Sequence, residues 1–257
     1  MFYFSKPAGG LQIASSLLKP PFVQNLSVGL PDIRILFMSD LHIRKNTWRT
    51  AENVLSAIRT LAPEMILLGG DYAEYDEGFV RFFEALSEIK PRYGIFAVEG
   101  NNDYTRFRYD HERVKEEIEK SGARLLRDEC VRVQTDKGTL EILGARCAYF
   151  EKTHPEGLFS EVDGVYRILL AHEPLKSTLA AVSGKADLML CGHTHGGQVN
   201  VLGFTCYEIL QYEKDFHYTH IAGMKKILNT SVLVSRGIGV SKFAVRFGAR
   251  TEIHLLT

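Results

Sequence analysis

The chain has 257 residues, 45% apolar, 24% charged and 11% aromatic, and its 31 lysines and arginines balance 31 aspartates and glutamates for a net charge of +0. A chain of this length buries roughly 70–75% of its unfolded surface, so it needs no disulfide or metal merely to fold, and one α/β domain is the simplest expectation. Neutrality argues against a nucleic-acid partner held by a global basic field, no apolar run approaches the ~20 residues of a bilayer span, and four cysteines without CxxC spacing read as reduced thiols.

Residues 1–31 read as an N-terminal arm, and 32–257 as the main domain. Phe2, Tyr3, Phe4, Leu11, Ile13, Leu17 and Leu18, beside Lys6 and Lys19, suit either an arm packed on the surface or an amphipathic segment resting on a membrane surface. Leu11–Leu18 is interrupted by Gln12, Ser15 and Ser16, which makes a poor signal-peptide core. The localisation expected is cytoplasmic, with peripheral attachment to the inner face of the membrane if the arm takes the second form.

From residue 32 the pattern alternates. Ile33–Met38, Met65–Leu68 and Ile95–Val98 are short apolar runs that predict buried strands, separated by helical spacing over Trp48–Leu61 and around Val80, Phe83, Leu86 and Ile89. Asp110–Lys120 predicts a charged helix. Arg124–Leu126, Val131–Gln134 and Leu140–Leu143 follow as short strands, the last two joined by an Asp136-Lys137-Gly138 turn. Arg167–Ala171 and Leu188–Cys191 are further buried strands around a helix near Leu175–Val182, and Val232–Ser235 and Thr251–Leu256 close the chain. The class expected is α/β with two sheets.

Each apolar strand ends at once in ionisable or amide side chains. The ends are Ser39-Asp40-Leu41-His42, Gly70-Asp71, Gly100-Asn101-Asn102-Asp103, Ala171-His172-Glu173 and Gly192-His193-Thr194-His195-Gly196-Gly197. Ligands bind outside the carboxyl ends of strands in open α/β sheets, so these groups are expected to share one crevice. Asp40, His42, Asp71, Asn101, His172, His193 and His195 offer more oxygen and nitrogen donors than one ion needs. The set suits two divalent ions, Mn, Fe or Zn, and its lack of thiolate disfavours Cu(I).

The ordered blocks resemble the calcineurin-like metallophosphoesterase family over about residues 32–257. The stretch Cys191 to Val199 and the string Ser235-Arg236-Gly237-Ile238-Gly239 are similar to a bacterial branch that includes membrane-associated phosphodiesterases and some UDP-2,3-diacylglucosamine pyrophosphohydrolases of lipid A synthesis. The resemblance implies a metallophosphatase fold, a four-layer α/β/β/α sandwich of two mixed sheets. It implies Asp40, His42 and His195 on one metal, Asn101, His172 and His193 on the other, and Asp71 bridging. It implies attack on phosphorus by metal-activated water, with Asn101, Asn102 and Asp103 as the catalytic block.

One position departs from the family pattern. The usual Gly-Asn-His-Asp or Gly-Asn-His-Glu has Asn102 in place of histidine, and an amide donates a hydrogen bond but delivers no proton at neutral pH. An alkoxide leaving group needs that proton; a phosphate, with a second pKa near 6, needs it far less. The function expected is therefore hydrolysis of a phosphoanhydride, or of a phosphodiester with an acidic leaving group. A nucleotide-linked lipid precursor such as UDP-2,3-diacylglucosamine is the finer expectation. A broad phosphodiesterase or phosphomonoesterase is one alternative, and another is that His217 or His220 supplies the proton. A low-activity, protein-binding scaffold of the same fold is the alternative of another class, and seven candidate ligands argue against it.

Arg44, Lys45, Arg49, Arg106 and Arg236 are the candidate substrate-binding cations, because arginine forks suit phosphate. Arg108 shares that reasoning. Phe204–Lys226, rich in aromatics, is expected to form a lid, an acyl-binding wall or a structural edge, and residues 151–165 a surface connection.

Overall fold

Strands buried on both faces read as unbroken apolar runs, and the computed structural model pairs these runs into two sheets. It describes residues 12–13, 20–107, 110–149, 152–182, 184–202, 204–205, 207, 216–241 and 245–257, with the backbone alone at 12, 13, 105 and 106. The first sheet has six strands: β2 (Phe22–Leu26), β14 (Glu252–Leu256), β3 (Ile35–Met38), β4 (Met65–Leu68), β5 (Ile95–Ala97) and β6 (Ala123–Leu125), in that spatial order. From β3 to β6 it is parallel, with α1 (Trp48–Leu61) and α2 (Asp76–Leu86) as crossovers and α4 (His111–Lys120) leading into β6. The second sheet runs β11 (Gly223–Ile227), β12 (Thr230–Val234), β10 (Leu188–Cys191), β9 (Val165–Leu170), β8 (Gly138–Gly144) and β7 (Glu129–Thr135). β1 (Gln12–Ile13) pairs antiparallel with β13 (Val245–Arg246).

Alternation along each strand builds the layers. Leu36, Met38, Ile66 and Leu68 face outward and pack against Val54, Ile58, Phe79 and Phe83 of the helices. Ile35, Phe37, Met65 and Leu67 face inward onto Ile142, Ile168, Leu170 and Leu190 of the second sheet. That sheet's outer face, with Leu169, Met189 and Val232, is covered by Leu179 of α5 (Lys176–Ala181) and by Val182 and Ala186. The order is α/β/β/α.

Several elements differ from the sequence reading. β2 precedes the first strand expected at Ile33; Gln24 and Asn25 break its apolar run, which an edge strand tolerates because it has one neighbour and one open side. A short helix, α3 (Asn101–Arg106), starts inside the polar block after β5. The end of the aromatic stretch enters β11, the edge strand of the second sheet. Residues 1–11 and 14–19 of the arm lie outside the described residues. Among the described residues no helix is long and apolar enough to cross a membrane.

His254 on β14 is fully buried, stacked against Phe37 at 6.0 Å, with Nε2 3.0 Å from Ser235 Oγ. Burial lowers its pKa from 6.5 to about 4. Between those values the unfolded chain binds a proton that the folded chain excludes, so this stability is present above pH 6.5 and lost as the pH falls through 4. Urea unfolding of His254→Asn should lose about 2 kcal/mol less than the parent between pH 7 and 4.5. Equal losses in the two proteins would assign the acid lability elsewhere.

Candidate metal centre

Three parallel strand ends (β3, β4, β5) and two from the facing sheet (β9, β10) deliver their polar loops to one edge of the sandwich. The loops are held in costly backbone conformations. Asp40 (φ 55°), His42 (42°), Asp71 (59°), His193 (67°) and His195 (52°) all lie in the left-handed region. Each such residue costs on the order of 1–3 kcal/mol and persists only where its surroundings fix it. Here the Asp40 N–H donates to Gly70 O at 2.9 Å and the His42 N–H to Asp71 O at 3.0 Å, so ladder pairing continues past the strand ends. The His193 N–H donates to both oxygens of Asp40, at 3.0 and 3.1 Å.

Glycine is required at two of these approaches. A Cβ on Gly100 would stand 2.1 Å from Asp71 Oδ1, and one on Gly192 would stand 2.0 Å from Ser39 Oγ and 2.3 Å from Asp40 Oδ2. A side chain at either position would displace a candidate ligand carboxylate.

The seven donors expected from the sequence meet. Asp40, His42 and His195 form one buried group and Asp40, Asp71 and His172 a second, each with ligand atoms within 4.8 Å of one another, and the two share Asp40. His42 Nε2 lies 3.0 Å from His195 Nε2, and His195 Nε2 lies 3.4 Å from Asp40 Oδ1. Asp71 Oδ2 lies 3.3 Å from His42 Nε2 of the first group and 3.5 Å from His172 Nε2 of its own. His193 Nδ1 lies 3.2 Å from His172 Nε2 and 3.0 Å from Asn101 Oδ1. Asp40 and Asp71 are 0% and 2% exposed. Two buried carboxylates side by side are costly unless cations face them, so the donor set fits divalent metal.

The far ring nitrogens are also engaged. His172 Nδ1–H donates to Gly69 O at 2.7 Å and His42 Nδ1–H to Glu74 Oε1 at 2.5 Å, which leaves each Nε2 lone pair facing the centre. His195 differs. Its Nδ1 lies 3.0 Å from the buried Arg246 Nη2. Burial, with His42 and Arg246 nearby, holds the His195 pKa well below its ordinary value.

Glu74 and Arg246 escape sequence reading. Glu74 lies three residues after Asp71, a spacing that hints at a shared loop, whereas nothing local marks Arg246 in β13 as a neighbour of His195.

Asp103, expected in the catalytic block, stands behind the site. It is fully buried, and its carboxylate accepts the N–H groups of Asp71 (2.8 Å), Tyr72 (2.9 Å) and Gly100 (2.8 Å). Burial and the neighbouring Asp71 push its pKa up to about 7. It is a positioning residue that ties the β4 and β5 loops together. Asn102 is placed at the donors: its N–H and Nδ2 donate to Asp71 Oδ1 and Oδ2 at 2.8 and 2.7 Å.

The candidate cations fare unevenly. Arg44 donates through Nη2 to the carbonyls of Val240 (3.0 Å) and Ser241, so it braces that loop rather than reaching for phosphate. Arg49 is exposed on α1 and pairs with Glu52 at 3.4 Å, a solvated helix face. Lys45 sits 5.9 Å from the Tyr75 ring centroid. Arg236 packs beside Gly196 of the metal loop while Nη1 grips Glu252 at 3.0 and 3.2 Å. The Arg106 side chain and Arg108 lie outside the described residues. His220 is buried and its Nε2–H donates to Gly223 O at 2.9 Å, while His217 is exposed.

Residues 33–197 match the calcineurin-like phosphoesterase family. The chain is 28% identical over 231 residues to the uncharacterized metallophosphoesterase YkoQ of Bacillus subtilis, spanning 88% of this chain and 84% of that protein. It is 29% identical over 228 residues to the phosphodiesterase YaeI of Escherichia coli, spanning 87% and 81%. The crystal structure of TT1561 of Thermus thermophilus shares the fold, with a TM-score of 0.51 at 13% identity over 80% of this chain and 90% of that one.

Proposed function

Because the chain belongs to the calcineurin-like phosphoesterase family and is a metal-dependent phosphoester hydrolase with a dinuclear centre, we propose that it cleaves a phosphoanhydride, or a phosphodiester with an acidic leaving group. The observation that carries this reading is Asn102, whose amide stands on Asp71 at the edge of the donor cluster where a proton donor would be needed for an alkoxide. Asp40, His42 and His195 are assigned to one ion, Asn101, His172 and His193 to the other, and Asp71 to both. When bound, the ions neutralise phosphoryl charge and lower the pKa of water at neutral pH.

The chain's own residues prepare that chemistry. Glu74 and Gly69 O fix the tautomers of His42 and His172. Asp103 holds the Asp71 and Gly100 loops in register through backbone N–H groups. The Asn102 amide orients a phosphoryl oxygen without protonating the leaving group.

A lipid-linked substrate, such as UDP-diacylglucosamine, at a membrane surface is a second reading. The exposed apolar side chains of Leu202 (83%) and Phe204 (62%), a few residues after the metal loop in sequence, support it.

Chelation followed by reloading tests the proposal. Stripped protein should lose hydrolysis, and Mn, Fe or Zn should restore it with close to two ions per chain by elemental analysis. A pyrophosphate-bridged substrate should then outpace an alkyl phosphodiester. Chelator-insensitive turnover would sink the metal reading, and a faster alkyl ester would sink the leaving-group reading.

A further inference from the structure

Arg246 is fully buried, and its whole guanidinium is committed. Nε donates to Gly239 O at 2.7 Å, Nη1 to Arg236 O at 2.7 Å and to Ala249 O at 3.3 Å, and Nη2 to Gly239 O. Nη2 also lies 3.0 Å from His195 Nδ1. A guanidinium presents its donors in a rigid fork, and these contacts occupy the fork completely. Burying a cation is costly unless its donors are met, so the side chain and its partners are fixed together.

The carbonyls of Arg236 and Gly239 belong to the segment that leaves β12, and that segment presses on the first strand end of the cluster. The Ile238 and Gly239 N–H groups donate to Asp40 O at 3.2 and 2.7 Å. A Cβ on Gly237 would stand 2.6 Å from Asp40 Cβ, and one on Gly239 would stand 2.2 Å from Leu41 O and 2.8 Å from His42 Cβ. Bare backbone therefore packs directly on Asp40, Leu41 and His42.

β13 itself is pinned from both sides. Gln12 and Ile13 of β1 pair with Arg246 and Val245. Phe247 N–H donates to Gln198 O at 2.9 Å and Asn200 N–H to Phe247 O at 2.7 Å, which joins the strand to the chain that leaves His195. Other groups hold the second half of the cluster: Gly69 O meets His172 Nδ1, and Asp103 meets the Asp71 N–H.

One side chain thus reaches all three donors of one ion, His195 directly and Asp40 and His42 through the backbone of Gly237, Ile238 and Gly239. Resting on the dinuclear hydrolase reading, we propose that Arg246 is the positioning residue of the ion assigned to Asp40, His42 and His195, and that it does not serve the ion assigned to Asn101, His172 and His193. Without the fork, His195 and the Gly237–Gly239 backbone lose their common anchor, while His172 and Asp71 keep theirs.

The test loads the full-length protein with manganese, removes the excess by gel filtration and counts ions by elemental analysis. The parent should hold close to two ions per chain, and Arg246→Met, which keeps the stem and drops the fork, close to one. Electron paramagnetic resonance should show an exchange-coupled pair in the parent and an isolated manganese in Arg246→Met. Arg246→Lys keeps the charge but cannot span the carbonyls and His195 together. The Kd of its weaker ion should rise about tenfold or more, since losing an outer partner of a ligating histidine typically costs about 10–100-fold in metal affinity. Arg167→Met is the control: Arg167 also donates to carbonyls, Ser160 O at 2.9 Å and Val162 O, near the start of β9, and this variant should keep both ions. Two ions at parent affinity in Arg246→Met, or in Arg246→Lys where Arg246→Met does not fold, would overturn the role. Loss of both ions together, or an equal loss in Arg167→Met, would overturn it too. A parent that holds fewer than two ions would sink the dinuclear reading, and the Arg246 role with it.

Discussion

Asp71→Asn should lower hydrolysis by about 10³ or more and leave the protein unable to retain two metal ions. The side chain keeps its shape but loses its charge, at a position whose oxygen lies within 3.5 Å of histidines from both halves of the cluster. Metal-borne stabilisation of the transition state is worth several kcal/mol, and each 1.36 kcal/mol is tenfold in rate, which gives about 10³. Asparagine can still accept the Asn102 N–H that now reaches Oδ1, so the loop should keep its course. Elemental analysis and kcat on the same preparation check this. A variant with two ions per chain and kcat within tenfold of the parent would move the shared role to Asp40, the residue common to both buried donor groups.

Asn102→His should raise turnover of an alkyl phosphodiester by about 10² and leave a pyrophosphate substrate within a few-fold, because a general acid contributes typically 10²–10⁴ where the leaving group needs a proton. The amide already sits 2.7 Å from Asp71 Oδ2, so an imidazole introduced there starts within reach of the phosphoryl site. Equal gains on both substrates would mean that histidine acts by hydrogen bonding or by repositioning Asp71, not by protonation. No gain on either would place the proton donor elsewhere.

Particular residues show how far the sequence carried. The runs Ile35–Met38, Met65–Leu68 and Leu188–Cys191 were legible because a strand covered on both faces has to be apolar at every position. The candidate donors were legible because Asp40, Asp71 and His193 closely follow those strands, and His172 follows β9, where open sheets present their ligands. The departure at Asn102 was visible only against the pattern of the family that the blocks resemble.

Other residues were misread for a physical reason. Arg44 looked like a phosphate fork because it follows His42, yet its partners are carbonyls 196 and 197 residues away. Asp103 was placed in the catalytic block by the family resemblance, yet its carboxylate lies under the loops, where three backbone N–H groups meet it. Arg246 gave no signal, since its contact with His195 depends on how β13 is brought under the metal loop.

The amino-acid sequence alone pointed to an α/β class with two sheets and to the candidate donor side chains, because periodicity and donor chemistry are local properties. The tertiary structure decided which donors face one another, which carboxylate works from behind, and which arginines are already occupied. Those outcomes depend on strand order, on left-handed backbone at five donors and on hydrogen bonds between distant segments. No local pattern encodes the meeting of two chain segments that come together only when the sheets close.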